Sequence, residues 1–265
     1  MKAMILAAGL GTRLRPLTDD RPKALVTVAG RTLLEIVLCR LRSFGVSEAI
    51  VNAHHYAEMI AEYLQANGNF GMRIELSRER ELLDSGGGLK KAAYFFNENE
   101  PFILHNVDVL STIDLGRMMR FHAERNALAT LAFQDRESSR SLLFDETGQL
   151  CGRRAGRGSW SPSSQNQDLH PSDEDLSVGT PDLGRPADQT QALAFCGIHV
   201  ISPRIFAKMN EEGAFSIIDA YLRLAAQGEK IIGFRADESY WRDLGKPENI
   251  VQAERDLSSG KLVLA

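Results

Sequence analysis

Leu6-Ala7-Ala8-Gly9-Leu10-Gly11-Thr12-Arg13-Leu14-Arg15-Pro16 follows directly on Ala3-Met4-Ile5, a run with no polar interruption. Such a run reads as a strand covered on both faces, the kind found in parallel sheets. A glycine-rich turn leaving it stands at the carboxyl edge of the sheet, where open α/β sheets bind their ligands. Without a Cβ, backbone N–H groups can approach phosphate oxygens closely. Two familiar phosphate motifs do not match. The dinucleotide fingerprint needs a glycine where Leu14 stands, and the P-loop ending is absent, since Gly260-Lys261 runs on to Leu262. What remains is a glycine loop with Arg13 inside it and a second cation, Lys23, in Arg21-Pro22-Lys23-Ala24-Leu25. Arginine offers phosphate a fork and lysine a point charge, so the pair suits a triphosphate. Arg15 and Arg21 read as solvated.

Working outward, apolar runs alternate with helix-period stretches. Leu34, Val37, Leu38 and Leu41 form one helical stripe, as do Ala57, Ile60, Ala61 and Leu64. Strands are predicted at 49–52, 72–76 and 102–106, with a helix over 88–96 and another capped by Asp114. This alternation means βαβ units and a parallel sheet. Further on, strands are predicted at 128–133, 141–144, 192–201 and 230–235, with a helix over 215–226 and a last one opened by Pro247. Residues 152–190 lose nearly all large apolar side chains and read as an exposed insertion within one domain spanning 1–265. No appended domain is expected after the last helix.

Composition excludes several classes. In 265 residues, 43% hydrophobic and 25% charged are globular values, and a net charge of -4 argues against nucleic acid as a partner. No apolar run is long enough to span a membrane, and the apolar N-terminus is too short for a signal peptide. Cys39, Cys151 and Cys196 lie far apart with no CxxC pair, which fits a reducing cytoplasm better than disulfides or zinc.

Two carboxylates complete the chemistry. Asn106-Val107-Asp108 ends a strand at the rim that carries the glycine loop, and Trp241-Arg242-Asp243-Leu244-Gly245 precedes the last helix. Mg²⁺ takes one or two carboxylates along with phosphate oxygens. Leu83-Asp84-Ser85-Gly86-Gly87-Gly88 opens a helix whose N-terminus favours an anion or a polar base edge.

The stretch 6–18, with Pro22-Lys23-Ala24-Leu25-Val26 behind it, resembles the signature of sugar-1-phosphate nucleotidyltransferases. The likeness is greatest to short bacterial enzymes of the N-acetylmuramate-1-phosphate uridylyltransferase and mannose- or heptose-1-phosphate guanylyltransferase type. It implies a Rossmann-like nucleotide-diphospho-sugar transferase fold, α/β, with a mixed, mostly parallel sheet and helices on both faces. It also implies an NTP and a sugar 1-phosphate as substrates. On the resemblance, Leu6, Ala7, Ala8, Gly9, Gly11 and Thr12, with Asp84, Gly87 and Asn106, would hold the nucleotide. Arg13 and Lys23 would be catalytic, and Asp108 and Asp243 would share Mg²⁺. Gly197, in Phe195-Cys196-Gly197-Ile198, would make room for the sugar. The lysine many relatives use for the sugar phosphate has no counterpart from Cys151 through Ala194; Arg140, Arg153 and Arg154 are the candidate substitutes, with Arg140 the one expected here. Val107 stands where many relatives carry glycine. An alternative keeps the fold and makes the acceptor phosphocholine, with Phe133, Phe144 and Phe195 as its aromatic pocket. A non-catalytic subunit that only binds the nucleotide sugar should have lost Lys23, Asp108 or Asp243, and all three are present. Base, sugar and oligomeric state stay open.

Overall fold

The Ala3–Leu6 run becomes the centre of the sheet because both faces of it are covered. In a computed structural model that describes residues 1–96, 99–155 and 190–264, strand β1 (Lys2–Leu6) alternates between two hydrophobic clusters, Ala3 and Ile5 on one side and Met4 on the other. It pairs in parallel with β4 (Glu48–Ala53) and with β6 (Phe102–Asn106), and β4 pairs in parallel with β5 (Arg73–Arg78). A short hairpin, β2 (Thr27–Val28) and β3 (Arg31–Thr32), lies off this sheet.

The other half is built around β11 (Thr190–Ile201), which runs antiparallel to β6 on one side and to β8 (Ala129–Gln134) on the other. β12 (Ile231–Arg235) closes the edge in parallel with β8. The main sheet is therefore β5-β4-β1-β6-β11-β8-β12, parallel except for β11. A hairpin of β9 (Arg140–Asp145) and β10 (Leu150–Ala155) continues from the first half of β11. Its turn is held by the Asp145 carboxylate, which accepts from the backbone N–H of Thr147 and of Gln149.

Helices cover both faces. α1 (Leu33–Ser43), α2 (Ala57–Ala66), α4 (Leu115–Arg125) and α6 (Pro247–Ser258) pack on the Ala3–Ile5 side, and α3 (Asp84–Lys91) and α5 (Ile217–Ala226) on the Met4 side. The expected stripe of α1 is buried at all four positions, and Asp114 caps α4 by accepting from Arg117 N–H at 2.8 Å.

Three expectations need correction. The third helix begins at Asp84, so its glycines are inside the first turns and do not precede it, and it stops at Lys91 before a 3-10 turn at Ala93–Phe96. Residues 152–155 belong to β10 and Thr190 to β11, so the hairpin ladder claims both ends of the expected insertion, while 156–189 lie outside the described residues. The third is a strand pair with no forecast, β7 (Val109–Ser111) with β13 (Trp241–Asp243).

Candidate active site

Strands β1, β4, β6 and β8 all end at one rim, and the chain leaving each contributes to the site. The glycine loop is tied down at its start by the buried Asn52, the penultimate residue of β4. Its backbone carbonyl accepts from Ala7 N–H at 3.1 Å, and its side-chain oxygen accepts from Ala7 and Ala8 N–H at 3.2 Å each. Leu6 and Ala8 are half-buried, and Gly9 and Thr12 are exposed at the mouth. Gly11 has φ 69°, and a Cβ there would stand 2.9 Å from the Thr18 methyl and 3.2 Å from the Lys23 Cβ. This close approach presses the two halves of the basic motif together. Leu14, fully buried, anchors the 3-10 turn that carries Arg13. Arg15 and Arg21 pair with Asp19 and Asp20 on the exposed surface, as solvated residues do.

Asp108 is the link between β6 and β7, and its carboxylate forms an ion pair with Lys23 in which both side chains are mostly buried. β13 then lies antiparallel on β7 with Asp243 opposite Val109, and Leu244 N–H donates to the Asp108 carbonyl at 2.7 Å. Two aspartates 135 residues apart in the chain are thus brought to the same end of the β7–β13 pair, Asp108 just before β7 and Asp243 at the end of β13. The Asp243 carboxylate accepts from Gly245 N–H at 2.6 Å. A Cβ on Gly245 would stand 2.8 Å from both that carboxylate and the Arg13 guanidinium, which puts Arg13 against the second aspartate. Arg13, Lys23, Asp108 and Asp243 converge at one place.

The Asp243 strand is braced from behind. Asp256 of α6 accepts from Tyr240 Oη–H at 2.7 Å, from Gln252 at 3.0 Å and from Arg242 at 2.9 Å. These bonds, led by the one from Tyr240, hold its carboxyl pKa down to about 2. Asn249 also donates to the Asp243 carbonyl at 2.8 Å.

On the other side of the loop, the α3 glycines face protein. Gly86 lies under the Phe215 ring, Gly87 against the Gly213 carbonyl, and Gly88 against Asn52 and Glu79, where a Cβ would come within 2.6 and 2.7 Å. Gly86 and Gly87 N–H both donate to the Phe215 carbonyl, and Ser85 Oγ accepts from Ile217 N–H. The small size of Gly86 and Gly87 lets α3 close on the segment leading into α5, and that of Gly88 lets it close on Asn52 and Glu79. Asp84 is exposed at the helix start with φ 56°, its carboxylate accepting from Ser85 N–H at 2.5 Å. Glu79 receives the Asn52 amide on one oxygen and Leu83 N–H on the other at 3.1 Å. Burial raises its pKa. Asn52 and Glu79 thus connect the glycine loop to the start of α3, a role the sequence reading did not assign to them. Nearby, His54 donates to the Glu79 carbonyl, so it is a structural residue.

On the β11 side, Gly197 has φ 71°, and a Cβ would stand 2.9 Å from both the Asn106 amide and the Val109 side chain. Asn106 is half-buried there, and Val107, buried, donates its N–H to the Leu6 carbonyl. Arg140 opens β9 on the surface and is exposed. Of the three aromatics in the choline alternative, Phe133 and Phe144 stack on each other at 4.8 Å within the core, and Phe195 meets His199 edge-on at 4.8 Å. Arg136, which follows β8, sits over the Trp241 ring and donates to the Phe195 carbonyl at 2.9 Å. Nothing in its sequence context marked it, because only the tertiary contact with Trp241 distinguishes it from a surface arginine.

Comparison with known proteins agrees with this geometry. The family described as Nucleotidyl transferase matches residues 2–142, more than half of the chain. The chain is 35% identical over 259 residues to N-acetylmuramate alpha-1-phosphate uridylyltransferase of Caulobacter vibrioides, covering 97% of this chain and 96% of that one. It is 28% identical over 262 residues to mannose-1-phosphate guanylyltransferase of Mycobacterium tuberculosis, covering 97% of this chain and 65% of the other. In fold it is similar to the crystal structure of a putative glucose-1-phosphate thymidylyltransferase from Bacillus anthracis, with a TM-score of 0.76 at 14% identity, covering 100% of this chain and 97% of that one. The glycine loop, its two cations and the pairing of the chain's two halves all point the same way, and the protein belongs to the Nucleotidyl transferase family.

Proposed function

We propose that the protein transfers a nucleoside monophosphate from an NTP to a sugar 1-phosphate, with Mg²⁺ as cofactor. The observation that carries this reading is the convergence of Arg13, Lys23, Asp108 and Asp243 beside a glycine loop. In the reaction an oxygen of the sugar phosphate attacks the α-phosphorus, the bond from that phosphorus to the β-phosphate bridge breaks, and pyrophosphate leaves with the electron pair. The nucleophile is already an anion, so the reaction requires no serine, cysteine or general base from the protein. The work of the protein is to align the two phosphates and neutralise charge.

Asp108 and Asp243 fit a hard divalent cation. They are two oxygen donors, one just before β7 and one at the end of the β13 strand paired with it, and the described residues hold no cluster of three or more His, Cys, Asp or Glu that would suit a metal bound by protein alone. Bound there, the ion would polarise phosphate oxygens as a Lewis acid. Lys23, now paired with Asp108, and Arg13, beside Asp243, are placed to turn to the triphosphate when it arrives, and the Asn52-braced loop to receive it through backbone N–H groups. The phosphocholine alternative loses its support, because two of its three aromatic candidates are core residues.

A pyrophosphate-release assay with MgCl₂ tests this, crossing UTP, GTP, CTP and dTTP with the 1-phosphates of N-acetylmuramate, mannose, heptose and glucose, and with phosphocholine. Turnover of one sugar 1-phosphate, lost with EDTA and restored by Mg²⁺, is the expected result. Turnover of phosphocholine alone, or of no pair, refutes the reading.

A further inference from the structure

Arg136 is a cation in the candidate site with no task in the scheme above. It leaves the end of β8 at the same rim as the glycine loop. Its guanidinium lies 3.6 Å from the centre of the Trp241 ring, two residues before Asp243. One of its terminal nitrogens donates to the Phe195 carbonyl at 2.9 Å, and Trp241 Nε1–H donates to the next carbonyl, Cys196, at 2.8 Å. Arg136 and Trp241 are thereby fastened to the strand segment that leads into Gly197. Stacking on an indole fixes the plane of a guanidinium without using its N–H groups, and those groups form a fork that matches phosphate. The Nε of Arg136 is buried without a hydrogen-bond partner. Burial is the largest influence on the group and lowers its pKa, against the pull of the Cys196 thiol and the Asp243 carboxylate. A half-buried cation is costly unless an anion completes it.

Position supplies the anion's identity. Arg13 and Lys23 come from the glycine-loop side, whereas Arg136 comes from the end of β8 and is tied to β11 just before Gly197. No lysine occurs between Lys91 and Lys208, so a long basic side chain carried by β8, β9, β10 or β11 is an arginine. Of the other arginines there, Arg153 pairs with Asp219, and Arg204 is held by Ser202 and by the Asn126–Ala127 turn.

We propose that Arg136, stacked on Trp241 and tied to the Phe195 carbonyl, binds the phosphate of the sugar 1-phosphate and so selects the acceptor, in the part expected from sequence for Arg140. This assignment rests on the proposed reaction. The test uses the full-length enzyme, with the NTP and sugar 1-phosphate that the assay above identifies. Arg136→Met keeps much of the packing on Trp241 without the charge, and Arg136→Lys keeps a charge without the fork. The KM for the sugar 1-phosphate should rise about 10- to 100-fold in Arg136→Met, as expected for a lost hydrogen bond to a charged group, and less in Arg136→Lys. The KM for the NTP should stay within about twofold of wild type, because that substrate is held from the other side. An unchanged acceptor KM in Arg136→Met, or equal rises for both substrates in both variants, overturns the assignment and leaves the reaction standing. Should Arg136→Met fail to fold, Arg136→Lys decides alone: a selective rise in acceptor KM supports the proposal, and wild-type constants reject it. Wild-type protein that turns over no sugar 1-phosphate refutes the parent reading, and this assignment falls with it.

Discussion

At the scale of single residues, Arg13 and Gly245 are the informative pair. Arg13 is exposed and its helical turn is anchored by Leu14, so its side chain has little part in holding the fold together. Arg13→Ala should lower kcat by about 10²–10³ while leaving the melting temperature near that of wild type, as expected for loss of one charge-stabilising donor. Wild-type turnover in that variant would contradict the role given to Arg13. Gly245→Ala tests the same contact from the other side. Its Cβ would stand 2.8 Å from both Arg13 and Asp243, so one of them must move. The expected outcome is a drop in kcat of about 10-fold or more, with near-native circular dichroism. Arg13 was legible in the sequence because a glycine turn with an arginine has few other uses. Its contact with Gly245 was not, because the two stand more than two hundred residues apart and nothing local connects them.

At the scale of elements, the glycine loop and the start of α3 are held by Asn52 and Glu79. Removing the Asn52 side chain leaves two loop N–H groups and one Glu79 oxygen with fewer partners. Asn52→Ala should cost about 1–3 kcal/mol in urea unfolding and raise the KM for the NTP more than that for the acceptor. Equal effects on both constants would argue against a nucleotide-side brace. The α3–α5 contact behaves differently. Gly86→Ala drives a methyl into the Phe215 ring and backbone, and should cost about 1–3 kcal/mol by overpacking, read as a lower unfolding midpoint. Three consecutive glycines in sequence suggested approach to a ligand. In the structure Gly86 and Gly87 pack on the segment before α5 and Gly88 on Asn52 and Glu79, and the same local pattern serves either purpose. Which one applies depends on what the fold brings opposite.

For the whole molecule, burial of three histidines couples the fold to pH. Desolvation lowers the pKa of His105 and His122 to about 4 and of His199 to about 3, from an ordinary 6.5. His199 shares a hydrogen bond with the buried Tyr221 hydroxyl, and His105 donates to the Asn106 carbonyl. Below pH 6.5 the unfolded chain takes up these protons and the folded chain does not. The stabilisation is therefore complete above that pH and is lost as the pH falls through about 4. Each imidazole should cost about 2 kcal/mol or more by about pH 4.5, at about 1.4 kcal/mol per unit of separation. Urea midpoints should fall steeply between about pH 6.5 and about pH 4.5, and less steeply in His199→Gln. A flat profile over that range would contradict the burial of these rings as neutral groups.

The sequence by itself determined most of the parallel half of the sheet, because β1, β4 and β6 are buried apolar runs and the helical stripes of α1 and α2 lie between them and the next strands, and those signals are local. It also determined the chemical character of the site, through Gly9, Gly11, Arg13 and Lys23, four residues within one short stretch. Only the tertiary structure decided that β13 lies on β7 and so sets Asp243 beside Asp108. It alone decided that β11 runs against its neighbours and that Arg136, rather than a more forward arginine, is stacked on Trp241. The physical reason is the same in each case. A three-residue strand or a surface-like arginine carries no periodicity of its own, and its position is set by partners that meet it only after the chain has folded.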